Sequence, residues 1–186
     1  MGPVLVYLKR AVAALAASFM IVTAVGADEA ELEALFEGLR NADSASAEQI
    51  ESRIYEIWSQ SGSESMDLLL NRGREALENG DADLAIEHFT ALVDHAPDFP
   101  EGYNGRATAY FQKRQYGPSL EDIRRTLELN PRHFGAMSGL ALIMEEVGRP
   151  EDSLAAWREV QKLHPMREGL DDVVRRLERQ VEGETL

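Results

Sequence analysis

The chain contains no cysteine, which excludes disulfides, thiolate metal sites and a lipid-modified amino-terminal cysteine, and leaves its redox compartment open. Lysine is confined to Lys9, Lys113 and Lys162, and the 19 basic residues are scattered among 33 acidic ones, for a formal charge of −14. A protein that neutralises phosphates needs a concentrated basic face, so nucleic acid is excluded as a partner. The acidity is a solubility device. No run of alternating β-branched residues occurs, which removes the signal for strands. Nor does the chain carry an H-E-x-x-H, G-x-S-x-G or phosphate-loop pattern. Its four histidines, His88, His95, His133 and His164, have no histidine at i+3 or i+4. His88 and His95 share a helix face two turns apart and would need a third ligand to hold a metal, so both read as solvated surface. The expectation is therefore a non-enzyme with no catalytic residue, no cofactor and no metal.

What is present is apolar spacing of helical period throughout, in a chain of 186 residues, enough for one continuous core. Pro97, Pro131 and Pro165 follow one another at equal intervals (131 − 97 = 165 − 131 = 34). Between them the same slots recur. The first copy holds Leu69, Arg72, Gly73 and Ala76, then Ala85, Phe89 and Pro97. Tyr103, Arg106, Ala107 and Tyr110, then Ser119, Ile123 and Pro131 fill the second. The third has Met137, Leu140, Ala141 and Met144, then Ser153, Trp157 and Pro165. Small residues such as Gly73 and Ala85 let two helices approach closely.

This pattern resembles the tetratricopeptide repeat, a helical hairpin closed by proline. The resemblance implies an all-α solenoid of three repeats, 66–99, 100–133 and 134–165, wound right-handed. Residues 28–65 form a degenerate helical pair. Leu32, Leu35, Phe36 and Leu39 give 28–40 one apolar stripe, and Ser46 with Gln49 reads as a capping box for a second helix carrying Ile50, Ile54, Ile57 and Trp58. Residues 166–186 carry the stripe Leu170, Val173, Val174, Leu177 and Val181, a helix that covers the open side of the third repeat. Arg72 and Arg106 stand where the family buries leucine. Each is expected to find a carboxylate or a helix-end carbonyl, the candidate acids lying on the preceding second helix, Glu51 or Glu56 for Arg72 and Glu87 for Arg106, and the other reading being presentation to a ligand.

Residues 1–27 have the layout of a secretory signal: Lys9-Arg10, an apolar run from Ala11 to Val25, and small residues before a cut after Ala27. The run is shorter than the ~20 residues that span a bilayer. The chain is expected to be periplasmic or secreted, or alternatively anchored in the inner membrane by this uncleaved segment, with the repeats outside the cytoplasm in both cases.

In the family the first helix of each repeat lines a concave groove. The matching positions are Asp67, Leu70, Arg74 and Leu77, then Glu101, Asn104, Thr108 and Phe111, then Gly135, Ser138, Leu142 and Glu145. One arginine against three carboxylates disfavours a strongly acidic ligand. A short peptide is expected, with Leu70, Phe111 and Leu142 as apolar anchors, Asn71 and Asn104 bonding its backbone, and Arg74, Thr108 and Ser138 beside them. The chaperone-tail version of the groove needs two lysines and an arginine, and only Arg74 is present. Leu70, Leu77, Phe111 and Leu142 have a second reading as packing between neighbouring first helices. The functional expectation is an interaction module or scaffold holding a protein partner, the alternative being a non-catalytic structural subunit of an envelope complex that uses its convex face or its ends.

Overall fold

The computed structural model describes residues 28–184, so the expected leader and the expected cut after Ala27 fall on residues outside the described ones. Nine helices and no strand occur among them: α1 (28–41), α2 (Ser44–Trp58), α3 (Glu64–Glu78), α4 (Ala82–His95), α5 (Pro100–Gln112), α6 (Tyr116–Leu129), α7 (Phe134–Glu146), α8 (Pro150–Leu163) and α9 (Leu170–Glu184). None of these helices is long and apolar enough to cross a membrane.

Three hairpins, α3–α4, α5–α6 and α7–α8, stack in chain order. The first helices α3, α5 and α7 also touch one another directly and form the inner layer, with α4, α6 and α8 outside. Each hairpin turns at an equivalent residue with left-handed backbone: Gly80 (φ 76°), Arg114 (φ 57°) and Gly148 (φ 73°). Glycine takes that conformation without steric cost, whereas Arg114 adopts it against its own Cβ. Asp81 then caps α4 by accepting from the Leu84 backbone N–H at 3.0 Å. Pro100 and Pro150 open α5 and α8, where a missing N–H costs nothing.

Close approach is achieved by glycine. The Phe89 ring lies between α3 and α5, and a Cβ built on either Gly73 or Gly105 would come within 2.5 Å of it. The next repeat repeats the device with less contact: Ile123 faces Gly139, where a Cβ would meet it at 3.3 Å. Gly73 carries out the packing role expected of it; Gly105, outside the signature slots, carries it equally.

The α1–α2 hairpin turns back on the solenoid instead of extending the stack. Phe36 and Leu39 of α1 and Ala47 and Ile54 of α2 share one core cluster with Phe134, Trp157, Val160, Leu170, Val174 and Leu177 of α7, α8 and α9. Arg132 lies over the Phe36 ring at 4.4 Å and pairs with Glu33 at 2.7 Å. The α2 cap also differs from the expected Ser46: Asp43 is the capping residue, accepting from the Ser46 N–H at 2.9 Å, because the helix starts three residues earlier. The α9 stripe is buried as its spacing required, with Leu170, Val174 and Leu177 inside.

The two arginines 34 residues apart are not equivalent. Arg106 forms a two-pronged pair with Asp122, both contacts 2.8 Å, and its Nη1 donates to Thr90 at 3.3 Å. Its carboxylate therefore comes from α6 of its own repeat, while Glu87 is exposed. This pairing raises the Arg106 pKa. Arg72 is exposed, and neither acid expected for it is its partner: Glu51 bonds His164 and Glu56 bonds Arg53. Register supplies the reason, since the position one repeat before Asp122 (122 − 34 = 88) is His88, not an acid.

Candidate functional site

Asn104, Thr108 and Phe111 of α5 and Ser138 and Leu142 of α7 line a single cavity of about 210 Å³. The helical spacing of the two sets directs them at one another across the seam between neighbouring first helices. Ile123, Ala107 and Ile143 give it apolar walls, and Gly135 and Gly139 also line it. The Ser138 hydroxyl is turned back onto the Phe134 carbonyl at 2.8 Å, and the Thr108 hydroxyl onto that of Asn104 at 3.0 Å. These two hydroxyls serve their own helices, and Asn104 is a further polar residue of the lining. Phe111 packs against Tyr116, ring centroids 5.8 Å apart, and Leu142 is 42% exposed at the rim.

The other three residues expected here are elsewhere. Leu70 is in the core of the first repeat, 1% exposed, packed with Ala85, Phe89 and Leu92, so for this residue the packing reading holds. Asn71 is exposed on α3, away from the cavity lining. Arg74 donates to the Ser59 hydroxyl at 2.9 Å and to Glu101 at 2.8 Å, tying the end of α2 to the inner layer.

The acidic lining inferred from positions does not face the cavity, because each of its three carboxylates is held by other partners. Asp67 accepts from the backbone N–H and hydroxyl of Ser61 at 2.9 and 2.6 Å. Glu101 lies between Arg74 and His133, and Glu145 accepts from Trp157 at 3.2 Å and pairs with Arg176 at 2.6 Å. The charged residue that does line the cavity is Arg167, from the link between α8 and α9.

Two buried histidines complete the surroundings. His133 Nδ1 accepts from the Ala136 N–H at 3.0 Å as the α7 cap, so its Nε2 carries the proton and donates to Glu101 at 2.6 Å. Its ring stacks on Trp58 with centroids 4.6 Å apart. His164 meets Glu51 across the α2 seam at 2.9 Å, and that hydrogen bond holds the Glu51 carboxyl below the usual carboxylate range. Tyr55 covers Gly135, where a Cβ would lie 2.6 Å from its hydroxyl, and burial pushes its phenol pKa up. The α1–α2 hairpin thus covers one end of the inner face, and the cavity lies beside it. His88 is half-buried and His95 exposed, and among the described residues no group of three His, Cys, Asp or Glu could hold a metal ion.

Spacing missed Gly105, His133, His164 and Arg167. Gly105 had a signal, since it recurs as Gly139 one period on (139 − 105 = 34). The others sit at caps and links outside the repeated slots.

The tetratricopeptide repeat family model matches residues 70–117 and 106–165. A TPR repeat-containing protein of Rhizobium etli is 34% identical over 135 residues, 72% of this chain and 66% of its own length. The small glutamine-rich tetratricopeptide repeat-containing protein 2 of Saccharomyces cerevisiae is 28% identical over 114 residues, 61% of this chain and 33% of that one. The chain thus spans only part of the length of both relatives. Among solved structures, the first TPR of Spaghetti (RPAP3) bound to the HSP90 peptide SRMEEVD superimposes with a TM-score of 0.60 at 21% identity, covering 63% of this chain and 93% of that domain. The TPR2B domain of yeast Sti1, in complex with pHsp70, does so with a TM-score of 0.58 at 18% identity, covering 63% and 99%. At these identities the likeness is one of fold.

Proposed function

The chain belongs to the tetratricopeptide repeat family, and from that premise we propose that it is an exported interaction module that holds a segment of a partner protein on its inner face. The observation that carries this reading is the convergence of Asn104, Thr108, Phe111, Ser138 and Leu142 on one small cavity beside a covered stretch of the same face. Its volume of about 210 Å³ is below the ~300–1,000 Å³ of sites for drug-sized ligands, and suits one side chain of a peptide rather than a cofactor. The peptides held by the structurally similar domains support the same reading. The proposal includes a leader at 1–27, a hairpin at 28–65, repeats over 66–165 and a cap at 166–186, with no catalytic role.

Affinity capture from envelope extract, comparing the wild type with an Asn104→Ala/Phe111→Ala variant, tests it. Partners specific to the wild type are expected. If every partner stays bound to the variant, the groove reading fails and a contact through the convex face or the ends takes its place. Export rests on the layout of the first 27 residues. A mature chain beginning near Asp28 and found outside the cytoplasm is expected; full-length protein in the soluble cytoplasm would contradict it.

A further inference from the structure

Each repeat stacks on the one before it through equivalent positions of its first helix. One of them is Gly102 in the second repeat, where a Cβ would lie 2.9 Å from Val93 and 3.2 Å from Leu92 of the preceding second helix, and Ala136 in the third, 1% exposed. In the first repeat (102 − 34 = 68) it is Leu68, and no second helix stacks before it, because the α1–α2 hairpin turns back onto α7, α8 and α9. Leu68 is 50% exposed. A second stacking position shows the same loss of cover. Ala109 packs among Leu70, Phe89 and Leu92 of the first repeat, and Ile143 packs with Ala107 and Ile123 of the second, whereas their counterpart Glu75 (109 − 34 = 75) is exposed. Glutamate suits an edge that meets water; Leu68 leaves an apolar centre within that edge.

We propose that this open end pairs with the same end of a second copy of the chain, in a two-fold dimer. Head-to-tail stacking is blocked, since α9 closes the far end of the solenoid with Leu170, Val174 and Leu177 buried against α7 and α8. The open face is also complementary to itself. Glu64, Leu68 and Arg72 form one i, i+4 row along α3, all three exposed, and neither Glu64 nor Arg72 has a hydrogen bond or ion pair among the described residues. Laid antiparallel on its own copy, this row sets Leu68 against the partner's Leu68 and Arg72 opposite the partner's Glu64, and symmetry makes that ion pair twice. Rows of this spacing interlock at the commonest helix crossing, about −50°. Arg72 thereby meets a carboxylate that its own chain does not offer it. One helix from each copy buries less than the ~1,200 Å² of total surface usual for stable interfaces, so the pair is weak and forms as concentration rises. The inner positions Asp67, Leu70, Arg74 and Leu77 lie outside this row, and the dimer does not rest on the groove reading.

Sedimentation of the chain as purified from cells, over a concentration series, tests the dimer. The mass should rise from one copy toward two, and Leu68→Glu should hold it at one while the helical circular dichroism stays that of the wild type. Arg72→Glu, which sets like charges opposite one another twice, should weaken the pair about tenfold, and adding Glu64→Arg should restore it. The chain has no cysteine, so Leu68→Cys introduces a single thiol. Oxidation with diamide should link that variant into a covalent dimer and leave Glu159→Cys, on the outer helix α8, unlinked. The Asn104→Ala/Phe111→Ala variant should dimerise as the wild type does, so the dimer and the groove fail separately. The proposal is overturned by a mass of one copy at every concentration, by a dimer that survives Leu68→Glu, by a charge-swapped double variant no stronger than Arg72→Glu, or by equal linkage of the two thiols. Assemblies larger than two would mark open-ended stacking and overturn it as well. So would a single-copy mass with capture of a different protein that Leu68→Glu loses, which assigns the face to that protein.

Discussion

Gly105 shows how tightly a single residue is constrained here. Its missing Cβ would come within 2.5 Å of the Phe89 ring, which is itself wedged against Gly73. Neither side can yield without the other, so Gly105→Ala should destabilise the fold by about 1–3 kcal/mol through overpacking. Urea denaturation would measure the loss, and a wild-type midpoint would contradict the wedge. The Arg106–Asp122 pair makes a contrasting case, because Asp122 is buried and depends on one guanidinium. Arg106→Leu restores the family's apolar residue but strands that carboxylate, at a cost on the order of 3 kcal/mol. Replacing Asp122 with leucine as well should recover much of the loss, since an apolar pair carries no desolvation penalty. If the single variant instead keeps its stability and loses its captured partner, Arg106 belongs to binding. Arg72, exposed and one repeat earlier, should tolerate leucine in either case.

At the scale of elements, the α1–α2 hairpin is held by Trp58 stacked on His133 and by Glu51 bonded to His164. The bond depresses the Glu51 pKa, so the stabilisation it provides is complete above the usual carboxylate range and is lost as pH falls through the depressed value. Trp58 fluorescence, followed in a Trp157→Phe background from neutrality to about pH 3, should show an acid step that Glu51→Gln removes. The same step in Glu51→Gln would exclude Glu51 as its source. Such behaviour was not readable from the chain. The stripes of α1 and α2 announce that one face is buried, but periodicity does not name what buries it, and the partner supplied by tertiary packing is 113 residues away in the case of Glu51 and His164. The repeats were readable because each hairpin packs on its chain neighbour, so a 34-residue period encodes both the fold and the inner positions. Five of the eight expected groove residues converge for that reason. Leu70 does not, because it turns into the core of the first repeat, and Arg74 does not, because the returning hairpin engages it.

For the whole molecule, the hairpin and the link after α8 alter the inner face that the repeats alone would present. One end lies beneath Tyr55, Trp58 and Ser59, and the carboxylates of the inner positions are held by internal partners. What is left is a short apolar cavity with Arg167 at its wall, on a protein whose overall charge is −14. The most direct measurement of the central claim is photo-crosslinking in living cells with p-benzoylphenylalanine placed at Leu142, on the cavity rim, and in parallel at Glu159, exposed on the outer helix α8. The account predicts an adduct with a discrete partner segment from position 142 and none from position 159; adducts from position 159 alone would contradict it.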